Sequence, residues 1–384
     1  MRVPLLDLKA QLATIEAEVK GAVLRVVDST SWILGPEVEA LERDLERYLD
    51  TPAAVGVSSG SDALIVSLMA LGVGPGDRVI TSPFSFFASA GCIARLGATP
   101  VFVDIDPRTY NISGDALREW FEAHRADADS VKAILPVHIF GQCADLDPIL
   151  DLAEARGIPV IEDAAQAIGS RYASRRGARM AGTFGKLGCF SFFPSKNLGG
   201  IGDGGLVVTA DGALADKLRQ LRAHGSKPKY YHGLVGGNFR LDPIQAAVLR
   251  VKLAYLDGWI AARQQKAAIY NQGLAGSVTT PHCAVDATFH TYHQYVIATG
   301  ERDRLEEHLT SQGIGNAIYY PRSLHEQECF SSLGYKRGDF PNSEWAADHT
   351  LALPIYPELS SAMQDFVIEQ IRAAGSGRAT PEQA

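Results

Sequence analysis

Between residues 53 and 163 the chain alternates short apolar runs with longer segments of helical periodicity, and no other feature restricts its fold as much. The runs are AAVGV at 53–57, RVIT at 78–81, PVFVD at 100–104, VKAILPV at 131–137 and IPVIED at 158–163. The segments between them, such as Ala63–Leu71 and Leu146–Ala155, are long enough and periodic enough for helices. Strands alternating with helices form βαβ units, whose crossovers lay the strands side by side in a mainly parallel sheet. GCFSFF at 188–193 and GGLVVT at 204–209 lie closer together and suit a hairpin-like pair added to that sheet.

Helical spacing also marks both flanks. Leu8, Leu12, Ile15, Val19, Val23 and Val26 recur on one face, and Pro36 opens a second helix carrying Val38, Leu41, Leu45 and Leu49. From Asp242 to Tyr270 the chain reads as one long helix leading to a second domain. After Gly276 comes a smaller α+β region, with strand-like HTYHQYVIAT, helix-like RDRLEEHLTSQ and a last helix from about Ser360 to Arg372. The expected division is residues 1–250 for an N-terminal segment and large domain, 251–374 for the linking helix and small domain, and 375–384 for a disordered tail.

Charge and apolar patterning narrow the function. The 36 basic and 44 acidic residues give a net charge of −8, without a run of Lys or Arg. That argues against nucleic acid as the main partner, because phosphate contacts need clustered positive charge. Val79–Ala94, a long stretch free of charged residues, contains three serines and a proline and is shorter than a membrane-crossing helix. Cys92, Cys143, Cys189, Cys283 and Cys329 are odd in number, scattered and without a CxxC pair, as expected of reduced thiols. The N-terminus, which carries Asp7 and Glu16, does not read as a secretory signal. The expectation is a soluble, cytoplasmic α/β protein with no membrane partner.

Several motifs carry chemistry, each with a competing structural reading. Ser58-Ser59-Gly60-Ser61-Asp62 lies between a strand and a helix, where free backbone N–H groups make a phosphate cradle, although Ser and Asp also cap helices with no ligand. Gly56-Val-Ser58-Ser-Gly60 matches the G-x-S-x-G nucleophile elbow, but it follows the first strand rather than several and no HGGG-like segment precedes it. Gly200-Ile-Gly202-Asp-Gly204-Gly205 satisfies G-x-G-x-x-G, yet a strand and not a helix follows it, against a dinucleotide fingerprint. His290 and His293 favour a surface or partly packed pair over a metal site, and no metal is expected. Asp163 and Lys196 each follow an apolar strand, so a parallel sheet brings both to the edge where ligands bind. Pyridoxal phosphate (PLP) requires such a pair, an amine for its aldehyde and a carboxylate for its ring nitrogen, and a structural ion pair is the alternative.

The run Glu162-Asp-Ala-Ala-Gln166, with Ser191-Phe-Phe-Pro-Ser-Lys196-Asn-Leu-Gly-Gly and Gly202-Asp-Gly-Gly205, resembles the DegT/DnrJ/EryC1/StrS family of PLP-dependent sugar aminotransferases. Ser59–Leu64, Thr81–Phe86, Gly141–Asp145 and Gly237–Ala247 extend the resemblance, in order and spacing, over nearly the whole chain. The resemblance implies an aspartate-aminotransferase-like architecture (PLP fold type I), with a mixed, mainly parallel seven-stranded sheet flanked by helices and a small C-terminal α+β domain. By position, Lys196 matches the lysine that joins the cofactor and moves the substrate proton. Asp163 matches the partner of the ring nitrogen, Gln166 the residue near the ring hydroxyl, and Gly60, Ser61 and Ser191 the phosphate cradle. Phe86 stands where the family stacks an aromatic on the ring, although a core phenylalanine is the alternative and fits Phe84 and Phe87 better. Asn238 matches a residue that reaches the phosphate from a partner subunit, which implies a homodimer with shared active sites.

The family's substrates are a nucleotide-linked keto sugar and an amino donor, here expected to be L-glutamate. Tyr319-Tyr320-Pro321-Arg322-Ser323-Leu324-His325 resembles the family's YYP-x-PLH segment, with Ser323 in place of proline. Tyr320 and His325 are its candidate substrate contacts, and Trp32–Gly35 is a candidate border of the sugar pocket. Lys229–His232 resembles members that aminate C3 rather than C4 of the sugar. A PLP-dependent sugar dehydratase, a non-catalytic member of the family and a serine hydrolase using Ser58 are the alternatives. In family members that dehydrate sugars the lysine position can hold histidine, so Lys196 favours transamination.

Overall fold

The computed structural model describes residues 1–283, 290–375 and 377–379. Two helices, α1 (Leu8–Ser29) and α2 (Pro36–Leu49), precede the alternating region. That region runs β1 (Ala53–Val57), α3 (Gly60–Ala70), β2 (Arg78–Thr81), α4 (Ala88–Arg95), β3 (Thr99–Phe102), α5 (Gly114–Ala123), β4 (Val131–Leu135), α6 (Leu146–Arg156) and β5 (Ile161–Asp163). A short hairpin, β6 (Arg171–Ser174) and β7 (Gly177–Met180), leads to β8 (Leu187–Ser191), β9 (Gly205–Thr209) and α7 (Gly212–Leu221).

Four strands pair in the order β1-β9-β8-β5 and three in the order β3-β2-β4. The two groups are one sheet, because β4 and β5 join through parallel bridges Ile134–Val160 and Val137–Asp163. The His138 N–H donates to the Asp163 carbonyl at 3.0 Å, and the Asp163 N–H to that of Pro136 at 2.9 Å. Along the seven strands β1-β9-β8-β5-β4-β2-β3, β9 alone opposes its neighbours. Every residue of β1 and β9 is buried, as in a sheet with both faces covered by helices. The fold class is therefore the mixed α/β arrangement expected from the alternation.

Helices α8 (Pro243–Leu253) and α9 (Leu256–Gly273) replace the single helix expected over Asp242–Tyr270. The chain is helical to Leu253 and restarts at Leu256, and the apolar spacing is continuous enough on both sides to hide the break. The remaining elements are β10 (Tyr295–Ala298), α10 (Arg302–Ser311), α11 (Pro341–His349), β11 (Thr350–Leu353) and α12 (Ser361–Ala374), with β10 and β11 antiparallel. Strand β10 takes up only the second half of HTYHQYVIAT. Their core, built on Tyr270, Tyr295, Leu351 and Ile371, also takes in Val3, which bridges Ile314. The sequence expectation of a disordered tail falls in part on Ser376 and residues 380–384, outside the described residues.

Candidate active site

Strands β1, β5 and β8 run parallel and end at one edge of the sheet, where the crevice of an open α/β sheet lies. From β1 the chain turns through Ser58 and Ser59 into α3. The Ser59 side chain caps that helix, accepting from the Asp62 N–H at 3.0 Å, while the Ser58 hydroxyl donates to the Asp62 carboxylate at 2.7 Å. Capping of this kind is worth about 1 kcal/mol. It leaves Ser58 with no imidazole partner among the described residues, so the nucleophile elbow lacks its base.

The backbone N–H groups of Gly60 and Ser61, at the positive end of α3, have no acceptor among the described residues. Around them the backbone is closely packed. A Cβ on Gly60 would lie 2.6 Å from that of Ser191, and one on Gly205 would lie 2.3 Å from the Ser59 carbonyl oxygen. Gly205 sits opposite both Ser191 and Val57 in the sheet, so its missing side chain is what lets β9 pass beside the turn. The G-x-G-x-x-G match thus has a packing cause.

Asp163 ends β5 and is buried. Its carboxylate accepts the Ser89 hydroxyl at 2.8 Å and the Ala165 N–H at 3.2 Å. Ser85 lies 2.8 Å from Ser89 and, with the Ser89 proton committed to Asp163, is the donor of that pair. Burial pushes the Asp163 carboxyl up from its ordinary value, against those hydrogen bonds and the nearby Lys196 charge. Beneath it, the His138 ring accepts the Ala144 N–H at Nδ1 and so carries its proton on Nε2, 2.9 Å from Glu162. Glu162 also accepts three backbone N–H groups at Gly182, Phe184 and Gly185, tying β5 to the approach to β8.

Lys196 follows β8 on a turn closed by its N–H to the Phe193 carbonyl at 2.8 Å. Burial lowers its amine to about 8, with Asp163 opposing the shift. Lys196, Asp163, Gly60, Ser61, Ser191, Gln166, Phe86 and Tyr320 line one cavity of about 680 Å³. Gln166 is fixed within it by the Phe140 N–H at 2.7 Å and by its own amide donating to the Tyr320 hydroxyl at 3.1 Å. Phe86 is 56% exposed, which is not the burial of a core phenylalanine, and its ring lies 6.3 Å from that of Tyr320. Phe84 is buried in the core, whereas Phe87 is half-exposed and stacks on Phe330.

Other candidates fall outside the cavity lining. His325 is buried with Nε2 3.1 Å from Glu344, and its ring packs against Phe340. Ser323, just before it, adopts φ −63° and ψ 148°, a conformation in which proline also fits. Asn238 lies on the segment whose Phe239 carbonyl accepts the Ser58 N–H, but it does not line the cavity of the single chain. Trp32 and Ile33 are exposed and also outside it. Sequence reasoning missed Ser89, whose i,i+4 spacing from Ser85 was the available signal. It also missed His293, Gln294, Asp203 and Arg322, which line the cavity. His290 instead stacks on Tyr292 at 3.9 Å, so the two histidines serve different places.

Residues 13–372 match the model of the DegT/DnrJ/EryC1/StrS aminotransferase family. The chain is 46% identical to a protein of Geobacillus stearothermophilus named as a pleiotropic regulatory protein, over 97% of this chain and 98% of the other. It is 42% identical to the dTDP-3-amino-3,4,6-trideoxy-alpha-D-glucose transaminase of Streptomyces venezuelae, over 97% and 96%. The crystal structure of S. venezuelae DesV with a ketimine intermediate superposes with a TM-score of 0.92 at 41% identity, covering 97% and 98%. That of NtdA from Bacillus subtilis, with bound cofactor PMP, gives 0.87 at 28% identity, covering 97% and 85%.

Proposed function

The chain belongs to the DegT/DnrJ/EryC1/StrS aminotransferase family, PLP-dependent enzymes of amino-sugar synthesis, and we propose that it moves the amino group of L-glutamate to C3 of a nucleotide-linked keto sugar. The observation that carries this reading is the convergence of Lys196, Asp163 and the glycine-lined start of α3 on one cavity. The donor set fits the cofactor. An anionic phosphate suits unpaired helix N–H groups in a cradle that a single Cβ would fill, and the ring suits a buried carboxylate at one side and an amine at the other.

When bound, PLP supplies a carbonyl that combines with amines and a ring that draws electrons from the reacting carbon. Gly60, Ser61 and Ser191 bind the phosphate. Asp163, oriented by Ser89, holds a proton on the ring nitrogen; its raised pKa reflects a buried charge that such a cation relieves. The Lys196 amine, unprotonated above about pH 8, takes and returns the substrate proton. Gln166 sets the ring hydroxyl, Phe86 covers the ring and Tyr320 contacts substrate. Asn238 reaches the phosphate of a partner subunit's site in a homodimer, and the protein works in the cytoplasm.

Amination at C3 is supported by the amino position in the name of the S. venezuelae relative and by the Lys229–His232 segment. The regulatory name of the Geobacillus relative favours no second reading, because Lys196 and Asp163 stand together in the cavity. Enzyme loaded with the pyridoxamine form, offered 3-keto and 4-keto nucleotide sugars in turn, should return to the PLP absorbance only with a 3-keto sugar. Turnover of the 4-keto compound alone would reverse the regiochemistry.

A further inference from the structure

His293 is a buried histidine close enough to Lys196 to feel its charge. It is 8% exposed and lines the same cavity as Lys196 and Asp163. Neither ring nitrogen has a hydrogen-bond partner among the described residues, and Nδ1 is fully shut off from solvent. Since Nε2 has no partner and is not shut off, it is the ring atom that a ligand can reach. Burial, with the charges of Lys196 and Arg263, lowers the imidazole well below its usual value, so the ring is neutral.

A neutral imidazole carries one N–H. A buried N–H without an acceptor is costlier than a buried lone pair without a donor, which places the proton on Nε2. The ring is also held in place. The buried Arg263 guanidinium donates to the carbonyls of Tyr292 at 3.2 Å, His293 at 3.3 Å and Ile355 at 2.8 Å, and the Gln294 N–H donates to the Phe140 carbonyl at 3.3 Å. A backbone fixed from both sides supports a side chain that makes no hydrogen bond of its own, which is the arrangement of a donor awaiting a ligand.

We propose that His293 is a substrate-seating residue, donating its Nε2–H to an oxygen of the substrate held beside the Lys196 amine. The shared chemistry is an oxygen acceptor next to the reacting carbon, and it comes either from the carboxylate of the amino donor or from a hydroxyl of the sugar. The proposal rests on the aminotransferase reading of the cavity.

The test uses the full-length PLP-loaded enzyme and two variants. His293→Gln keeps an amide N–H close to the place of Nε2, and His293→Leu keeps the bulk without a donor. Each half-reaction is followed separately by absorbance, with L-glutamate and then with the keto sugar. The expected result is that His293→Leu binds PLP normally but loses about 10-fold in kcat/KM in one half-reaction, while His293→Gln stays within about 3-fold of the parent. The half-reaction affected identifies which substrate supplies the oxygen. Unchanged kinetics in His293→Leu would overturn the proposal. So would equal loss in both variants and both half-reactions with a lowered melting temperature, since that is the signature of packing alone. Failure of the unmutated enzyme to react with either substrate would instead remove the aminotransferase reading, and this proposal with it.

Discussion

In the proposed mechanism the chemistry turns on Lys196 and Asp163, and burial acts on them in opposite directions. It makes the amine easier to deprotonate and the carboxylate harder to ionise. A lysine whose folded pKa lies near 8 rather than 10.5 is a nucleophile at lower pH than a free one. Covalent capture of PLP by the apoenzyme should therefore rise with pH through a midpoint near 8, followed by stopped-flow absorbance; a rise continuing to about 10.5 would contradict the buried amine. The same shift sets a stability trend. Between about 8 and 10.5 the unfolded chain binds the proton that the folded one has shed, so the Lys196 contribution becomes more favourable as pH rises. Asp163 ends an apolar strand and Lys196 follows one, which made both candidates in the sequence, and the family resemblance chose them over a structural ion pair. His293 was not legible there, because the sequence reports neither the burial of a histidine nor which of its nitrogens has found a partner.

At the scale of elements, the cradle depends on how β1 is held. Its Ala54 and Gly56 N–H groups are taken by Glu46 and Glu42 of α2, at 3.1 and 2.8 Å, and Arg222 donates to the Gly56 carbonyl while pairing with Glu42. Two carboxylates four residues apart on a helix rise about 6 Å, close to the spacing of two N–H groups on one side of a strand. Helix α2 thus covers the open edge of the sheet just before the turn into α3. On the inner side, Gly205→Ala should push β9 against Ser59. The expected outcome is a loss of about 1–3 kcal/mol in denaturant unfolding and weaker PLP binding, while Gly212→Ala, where a Cβ meets nothing, should leave both unchanged. A Gly205→Ala enzyme binding PLP like the parent would show that the cradle is not built this way. The strands of the seven-stranded sheet and β10, though not β11, α7 or α11, followed from apolar runs and periodicity. The break between α8 and α9 and the β6–β7 hairpin did not. Apolar spacing continues through the first, and the second is largely exposed and has no apolar run to mark it.

At the scale of the molecule, exposed apolar side chains cluster in segments near the site in sequence or space, including Phe86, Phe87, Phe193 and Ile201, with Tyr230, Tyr231 and Val235 ahead of Asn238. The proposed homodimer would cover such groups, and it supplies Asn238, absent from the single-chain cavity lining, from a partner subunit. Sedimentation equilibrium should give twice the 41.3 kDa chain mass at micromolar concentration, and a monomer with full activity would remove the shared site. The sheet order was legible only through the family resemblance, since periodicity assigns strands but not their neighbours.

The central claim is that Lys196 and its surroundings perform transamination with an amino acid donor. It is tested most directly by the absorbance spectrum of the purified protein supplied with PLP, before and after L-glutamate, alongside Lys196→Ala. The parent protein should show a visible band that converts to the pyridoxamine form with glutamate. The Lys196→Ala protein should fold but neither form that band nor turn over. A parent protein with no band, or a Lys196→Ala protein with normal activity, would contradict it.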